Sequence, residues 1–144
     1  MARNQLTFAA PPEAVWRVLS EPRHYGYWVV GSSEIRDADE RWPAPGSVFH
    51  HRVGVAPLTI SDHTESLEAE PPRRLVMRAK ARPLGVARVE LTIEPIPNGS
   101  FVTMIEDPEL PFARLLLPIQ AFTRLRNRES LRRLRQLAEE LSDP

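Results

Sequence analysis

The run Ile119-Gln120-Ala121-Phe122-Thr123-Arg124-Leu125-Arg126-Asn127-Arg128-Glu129-Ser130-Leu131-Arg132-Arg133-Leu134-Arg135-Gln136-Leu137-Ala138-Glu139-Glu140-Leu141 decides the architecture. Ile119, Thr123, Asn127, Ser130, Leu134, Leu137 and Leu141 recur at three- and four-residue steps, with Leu131 and Ala138 beside them, while the arginines crowd the other side. That spacing predicts one amphipathic helix of about six turns. A single helix of this length must bury its stripe against another layer, and the rest of the chain offers mainly strands.

Upstream, strand-like runs occupy Leu6–Ala10, Ser33–Ala38, Ser47–Val55, Leu58–Ala69, Leu75–Ala81, Val86–Glu94 and Phe101–Glu106. Turn residues separate the later ones: Ala56-Pro57, Pro71-Pro72, Pro83-Leu84-Gly85 and Pro97-Asn98-Gly99. Links this short join antiparallel neighbours, because a parallel crossover needs a dozen or more residues. Between the first two strands, Pro11-Pro12-Glu13 opens a short helix whose Ala14, Val15, Val18 and Leu19 share a face, and Pro22 ends it. Arg23 to Trp28 reads as a second short helix or turn. The expected fold is therefore α+β in a helix-grip arrangement: a curved antiparallel sheet of about six to seven strands around a long C-terminal helix, with two short helices after the first strand.

Composition bounds the function. With 144 residues, 42% of them apolar, the chain is long enough for a real core and is read as a single domain, 1–144. No stretch reaches the ~20 apolar residues of a membrane span. The first residues pass straight into an alternating segment with no room for a secretory signal, so the protein is expected to be cytoplasmic. The absence of cysteine excludes disulfides, thiolate nucleophiles and thiolate metal sites. Basic and acidic residues number 19 each, so overall charge points to neither nucleic acid nor an anionic membrane. Seven arginines lie between Arg114 and Arg135, and they read as a solvated helix face.

Several phrases at element boundaries carry a likeness: Ala10-Pro11-Pro12-Glu13-Ala14-Val15-Trp16, Pro45-Gly46-Ser47-Val48-Phe49, Glu70-Pro71-Pro72-Arg73-Arg74-Leu75, Gly99-Ser100 before Val102-Thr103-Met104, and Arg126-Asn127-Arg128-Glu129-Ser130-Leu131. Together they resemble the START-like SRPBCC superfamily, in particular its polyketide cyclase/dehydrase and lipid-transport members. The resemblance implies a helix-grip cavity for a small molecule. It carries no shared catalytic signature.

Candidate site residues follow from the faces of these elements. Thr123, Asn127 and Ser130 put polar groups on the inward stripe of the long helix, where each costs roughly 1–3 kcal/mol if buried without a partner. They either line a cavity or bond to backbone at the sheet rim. In Phe101–Asp107, Val102, Met104 and Glu106 share one face and Phe101, Thr103, Ile105 and Asp107 the other, so alternation leaves the inward face open. The resemblance favours Met104 and Glu106 inward. Glu106 would then be the leading general acid or base, or an orienting ion pair if an arginine such as Arg88 or Arg126 reached it.

Of the neighbours His50 and His51, one must face inward, and Arg52 marks the His50 face as solvent, which selects His51. His63 is a second candidate, able to approach from the next strand and form a proton-transfer pair with Glu106. Trp28, Trp42 and Met77 are expected as cavity walls, and Phe112 and Leu116, in the apolar run before the helix, as cover for its mouth. No HExxH, nucleotide loop or GxSxG elbow occurs, and His50 and His51 cannot share one ion, so no metal or cofactor is expected.

The leading function is binding of a small apolar or aromatic molecule, lipid- or polyketide-like, by a monomer or homodimer. The alternatives are an aromatase/cyclase-type enzyme using Glu106 with His51 or His63, and a protein-interaction module using the sheet exterior or the segment Leu115-Leu116-Leu117.

Overall fold

The structure, a computed structural model, describes residues 1–55, 58–80, 85–109 and 117–142. Its seven strands are β1 (Ala2–Phe8), β2 (Ser32–Ala38), β3 (Val48–Val55), β4 (Leu58–Glu70), β5 (Arg74–Lys80), β6 (Val86–Ile96) and β7 (Gly99–Pro108). The helices are α1 (Pro12–Leu19), α2 (Tyr25–Trp28), which follows a 3-10 turn at Pro22–His24, and the long α3 (Leu117–Ser142). All strands form one antiparallel sheet in the order β1-β7-β6-β5-β4-β3-β2. The α+β helix-grip architecture read from the sequence is the one observed.

This order explains the two short helices. β1 and β2 are consecutive in the chain yet occupy opposite edges, so α1 and α2 must carry the chain across the full width of the sheet. Pro12 opens α1 where a missing N–H costs nothing, and its buried Ala14, Val15, Val18 and Leu19 face the core. β6 and β7 meet in a two-residue hairpin at Pro97-Asn98, with Ile96 opposite Gly99. Proline at the first position and Asn98 at φ 66° match a type II turn. Gly99 is required by close packing: a Cβ there would collide with the backbone carbonyl of Phe8.

The periodic stripe of α3 is buried where it is apolar: Leu131, Leu134 and Ala138 are at most 1% exposed. They join one core with Leu91, Ile93 and Val102 of the sheet. Each fully buried leucine or valine contributes roughly 1.5–3 kcal/mol by leaving water. Helix α3 rests chiefly on β1, β7, α1 and α2. It therefore leans toward one edge of the sheet, and Phe49 of β3 is faced instead by Tyr25 of α2 and by Trp42.

The largest differences from the sequence expectation lie at the ends of β1. β1 begins at Ala2 and stops at Phe8, because the strand is extended by pairing with β7 from Glu106 to Ser100. Ala9 and Ala10 leave it and turn toward α1; Ala9 N–H donates to Glu139 Oε2 at 2.8 Å, and Ser100 Oγ donates to the Ala10 carbonyl. β4 carries a bulge between Ser66 and Glu68 that shifts its alternation.

Candidate functional site

The β7 wall is built by strict alternation. Val102 and Met104 are buried and point to the concave face, and Glu106 follows them two residues on. Its cross-strand partners are Ala2 and Val89, both buried. Helix α3 supplies the answer to this inward carboxylate. Arg126 Nη2 donates to Glu106 Oε1 at 2.6 Å and also to Oε2, and Asn127 Nδ2 donates to Oε1 at 3.2 Å. The side chains of Arg126 and Glu106 are 22% and 14% exposed, so the pair sits at the rim of the interior. Arg88 lies elsewhere, on the outer face beside Glu68 and Glu90.

A second polar group lies on β3 and β4. The register sets His51 opposite Asp62 and Phe49 opposite Thr64, and all four are buried. His51 Nε2 meets Thr64 Oγ1 at 2.9 Å. Its other nitrogen, Nδ1, is buried with no partner. Burial holds the imidazole below its ordinary pKa, outweighing the opposite pull of the Asp62 carboxylate. His51 is thus a neutral, inward-facing ring with one unused hydrogen-bonding atom.

An aromatic cluster stands next to it. Phe49 lies 5.6 Å from His51 and 4.8 Å from Tyr25, ring centre to ring centre, and Tyr25 lies 5.0 Å from Trp28. Tyr25 Oη and Trp42 Nε1 both donate to the Leu19 carbonyl at the end of α1, at 2.8 and 2.9 Å. Burial raises the Tyr25 hydroxyl's pKa, so it remains a donor. Trp28 is the exception. It is fully buried, and its indole Nε1–H has no acceptor.

The expected residues therefore separate. Trp28, His51, Met77, Met104, Glu106 and Asn127 are buried or nearly so on the concave side or the helix facing it, and Thr123 is half-buried on α3. His63 is not brought to Glu106. It pairs across β3–β4 with His50, their rings 5.9 Å apart, which sets it on the opposite face from His51. Ser130 is also accounted for structurally: its Oγ accepts the Val30 N–H at 3.0 Å and ties the chain after α2 to α3. Phe112 and Leu116, with the segment Leu115-Leu116-Leu117 as a cover, lie outside the described side chains.

Sequence reasoning did not single out Asp62, Thr64 or Tyr25. β4 is polar on both faces, so its alternation carried no inward signal; pairing with β3 was needed. No group of three or more His, Asp or Glu that could hold a metal ion occurs among the described residues. Two surface clefts, of about 1000 Å³ beside Tyr27 and Arg133 and about 700 Å³ beside Pro12 and Pro95, include neither Glu106 nor His51 and are separate from this site.

Known proteins with this architecture are numerous. A protein of Nitrosomonas europaea is 21% identical with a TM-score of 0.74, covering 96% of this chain and 93% of its own. One from Rhodobacter sphaeroides is 24% identical at a TM-score of 0.74, covering 96% and 91%. One from Arthrobacter aurescens is 16% identical at a TM-score of 0.76, covering 96% and 85%. At these identities the likeness is one of fold. No curated protein matches the chain. The family model described as polyketide cyclase / dehydrase and lipid transport matches residues 2–139, nearly the whole chain. The chain belongs to the polyketide cyclase / dehydrase and lipid transport family.

Proposed function

We propose that the protein binds a small apolar or aromatic molecule, lipid- or polyketide-like, between the concave face of the sheet and the helices, with a polar group of the ligand meeting His51 and Trp28. One observation carries this reading: His51 Nδ1 and Trp28 Nε1 are both buried without partners, within one aromatic cluster. A buried donor left unpaired costs roughly 1–3 kcal/mol, so a ligand that satisfies both gains affinity from groups already desolvated. Thr123, Met77, Met104 and Asn127 extend the same surface. In this reading the Glu106–Arg126 ion pair orients the ligand from the rim, and Glu106, with both oxygens held by Arg126 and one also by Asn127, is a poor proton donor.

A second reading, aromatase/cyclase-type chemistry, is favoured by one fact: His51 is held neutral beside Asp62, the state a general base requires. It loses the partnership of His63 with Glu106, since His63 faces the other way. Native mass spectrometry of the purified chain, followed by fluorescence titration with N-phenyl-1-naphthylamine, tests the binding reading. The expected result is a retained small molecule or saturable 1:1 probe binding that is weakened by His51→Phe. Absence of both would reject it. Conversion of a poly-β-ketone by the native chain, abolished in His51→Phe, would establish the second reading.

A further inference from the structure

Five large apolar side chains are exposed among the described residues, and three of them gather at the start of α3. Phe122 is 62% exposed, Leu125 67% and Met1 57%. Phe122 and Leu125 stand one turn apart on the helix face turned away from Asn127, Leu131 and Leu134. The Met1 nitrogen donates to Gln120 Oε1 at 2.9 Å, which sets Met1 beside that turn. Asn4 Nδ2 donates to the Arg124 carbonyl at 3.0 Å, so β1 holds the turn in place.

Charge on the same stretch is of one sign. From residue 117 to 128, α3 has Arg124, Arg126 and Arg128 and no Asp or Glu. Arg126 is committed to Glu106, but Arg124 and Arg128 are exposed and have no acidic partner among the described residues. In the second half of the helix the pattern changes, with Arg132 and Arg133 both paired to Glu129. The chain balances 19 basic against 19 acidic residues, so this cationic, apolar stretch arises by segregation along one helix, with Arg128 one turn from Leu125 and Arg124 flanking the apolar pair from the side nearer the sheet.

An exposed Phe and Leu next to arginines that have no acidic partner among the described residues complements a surface that is anionic outside and apolar beneath. No helix among the described residues is long and apolar enough to cross a membrane, so the contact would lie in the interface plane. We propose that the first half of α3 docks the protein on an anionic lipid bilayer, with Phe122 and Leu125 entering the headgroup–acyl boundary and Arg124 and Arg128 meeting lipid phosphates. This docking stands independently of what the interior binds.

The test is co-sedimentation of the full chain with vesicles of phosphatidylcholine alone or with about 30% phosphatidylserine, at about 0.1 M and 0.5 M salt. Binding is expected to anionic vesicles only and to fall at the higher salt. Arg124→Gln with Arg128→Gln should weaken it by roughly fivefold per arginine, and Phe122→Ser with Leu125→Ser by more than about tenfold. Since all four side chains are exposed, thermal unfolding of the variants should match that of the native chain, which separates lost docking from lost folding. No vesicle binding, or equal binding to neutral vesicles and to both variants, overturns the proposal. So does sedimentation equilibrium showing a dimer that Phe122→Ser with Leu125→Ser converts to monomer, because the face would then be a contact between copies.

Discussion

Arg126, on the first half of α3, closes over Glu106 of β7 with Nη2 shared between the two carboxylate oxygens, and Asn127 adds a third bond from the next residue. The helix is thereby fastened to the sheet at the end where its stripe is polar, while Leu131, Leu134 and Ala138 fasten it at the other by packing. The two ends should respond differently to substitution.

At the polar end, Glu106→Gln removes the charge but keeps the shape, leaving a mostly covered guanidinium unmatched. Partial exposure of the pair limits the loss to about 1–3 kcal/mol. Arg126→Gln should cost a similar amount, and the double substitution less than the sum, as a double-mutant cycle by urea unfolding will measure.

At the apolar end, Leu134→Asp places an unpaired charge at a position that is 0% exposed and should cost roughly 3–5 kcal/mol or prevent folding. Asn127→Ala should cost about 1–2 kcal/mol, since Arg126 still holds Glu106, and should alter probe binding. Equal losses in thermal unfolding, with probe binding unchanged, would contradict the division of α3 into a packing half and a site half.

His51 gives a pH signature. Its folded pKa is lowered by burial, so as pH falls below the unfolded value of about 6.5 the unfolded chain takes up a proton that the folded chain refuses. Stability from this group is complete above about pH 6.5 and is lost as pH falls through the depressed folded value. Asp62, His50 and His63 act on the same ring, so the quantity to measure is the difference between the native chain and His51→Gln. Melting temperatures from pH 8 down to about 5 should converge as acid removes the native chain's advantage.

Much of the fold is legible in the sequence because its signals are local. The 3.6-residue stripe of α3, the prolines of α1 and the Pro-Asn-Gly hairpin each act within a few residues, and each stands where it was expected. The site depends on register, which alternation does not supply. His63 reads as a possible partner for Glu106 until the His50–His63 pairing turns it outward, and Asp62 is invisible until the same pairing sets it opposite His51. Ser130 looks like cavity lining from its place on the stripe, yet it is used by the Val30 N–H, a contact 100 residues away in the chain. Alternation alone leaves the inward face of β7 open; the family resemblance points to Val102 and Met104, and both are buried.

The indole N–H signals of the three tryptophans test the central claim most directly. Trp42 Nε1–H is already bonded to the Leu19 carbonyl, Trp16 is half-buried on α1, and Trp28 Nε1–H is buried and unpartnered. In a ¹H–¹⁵N correlation spectrum titrated with 1-naphthol, the account predicts a downfield shift of the Trp28 indole proton while the Trp42 indole stays in place. Naphthalene, lacking the hydroxyl, should bind more weakly and move the Trp28 indole proton less. A titration in which the Trp28 signal does not move, while Trp16 or no indole responds, would contradict an interior site that uses His51 and Trp28.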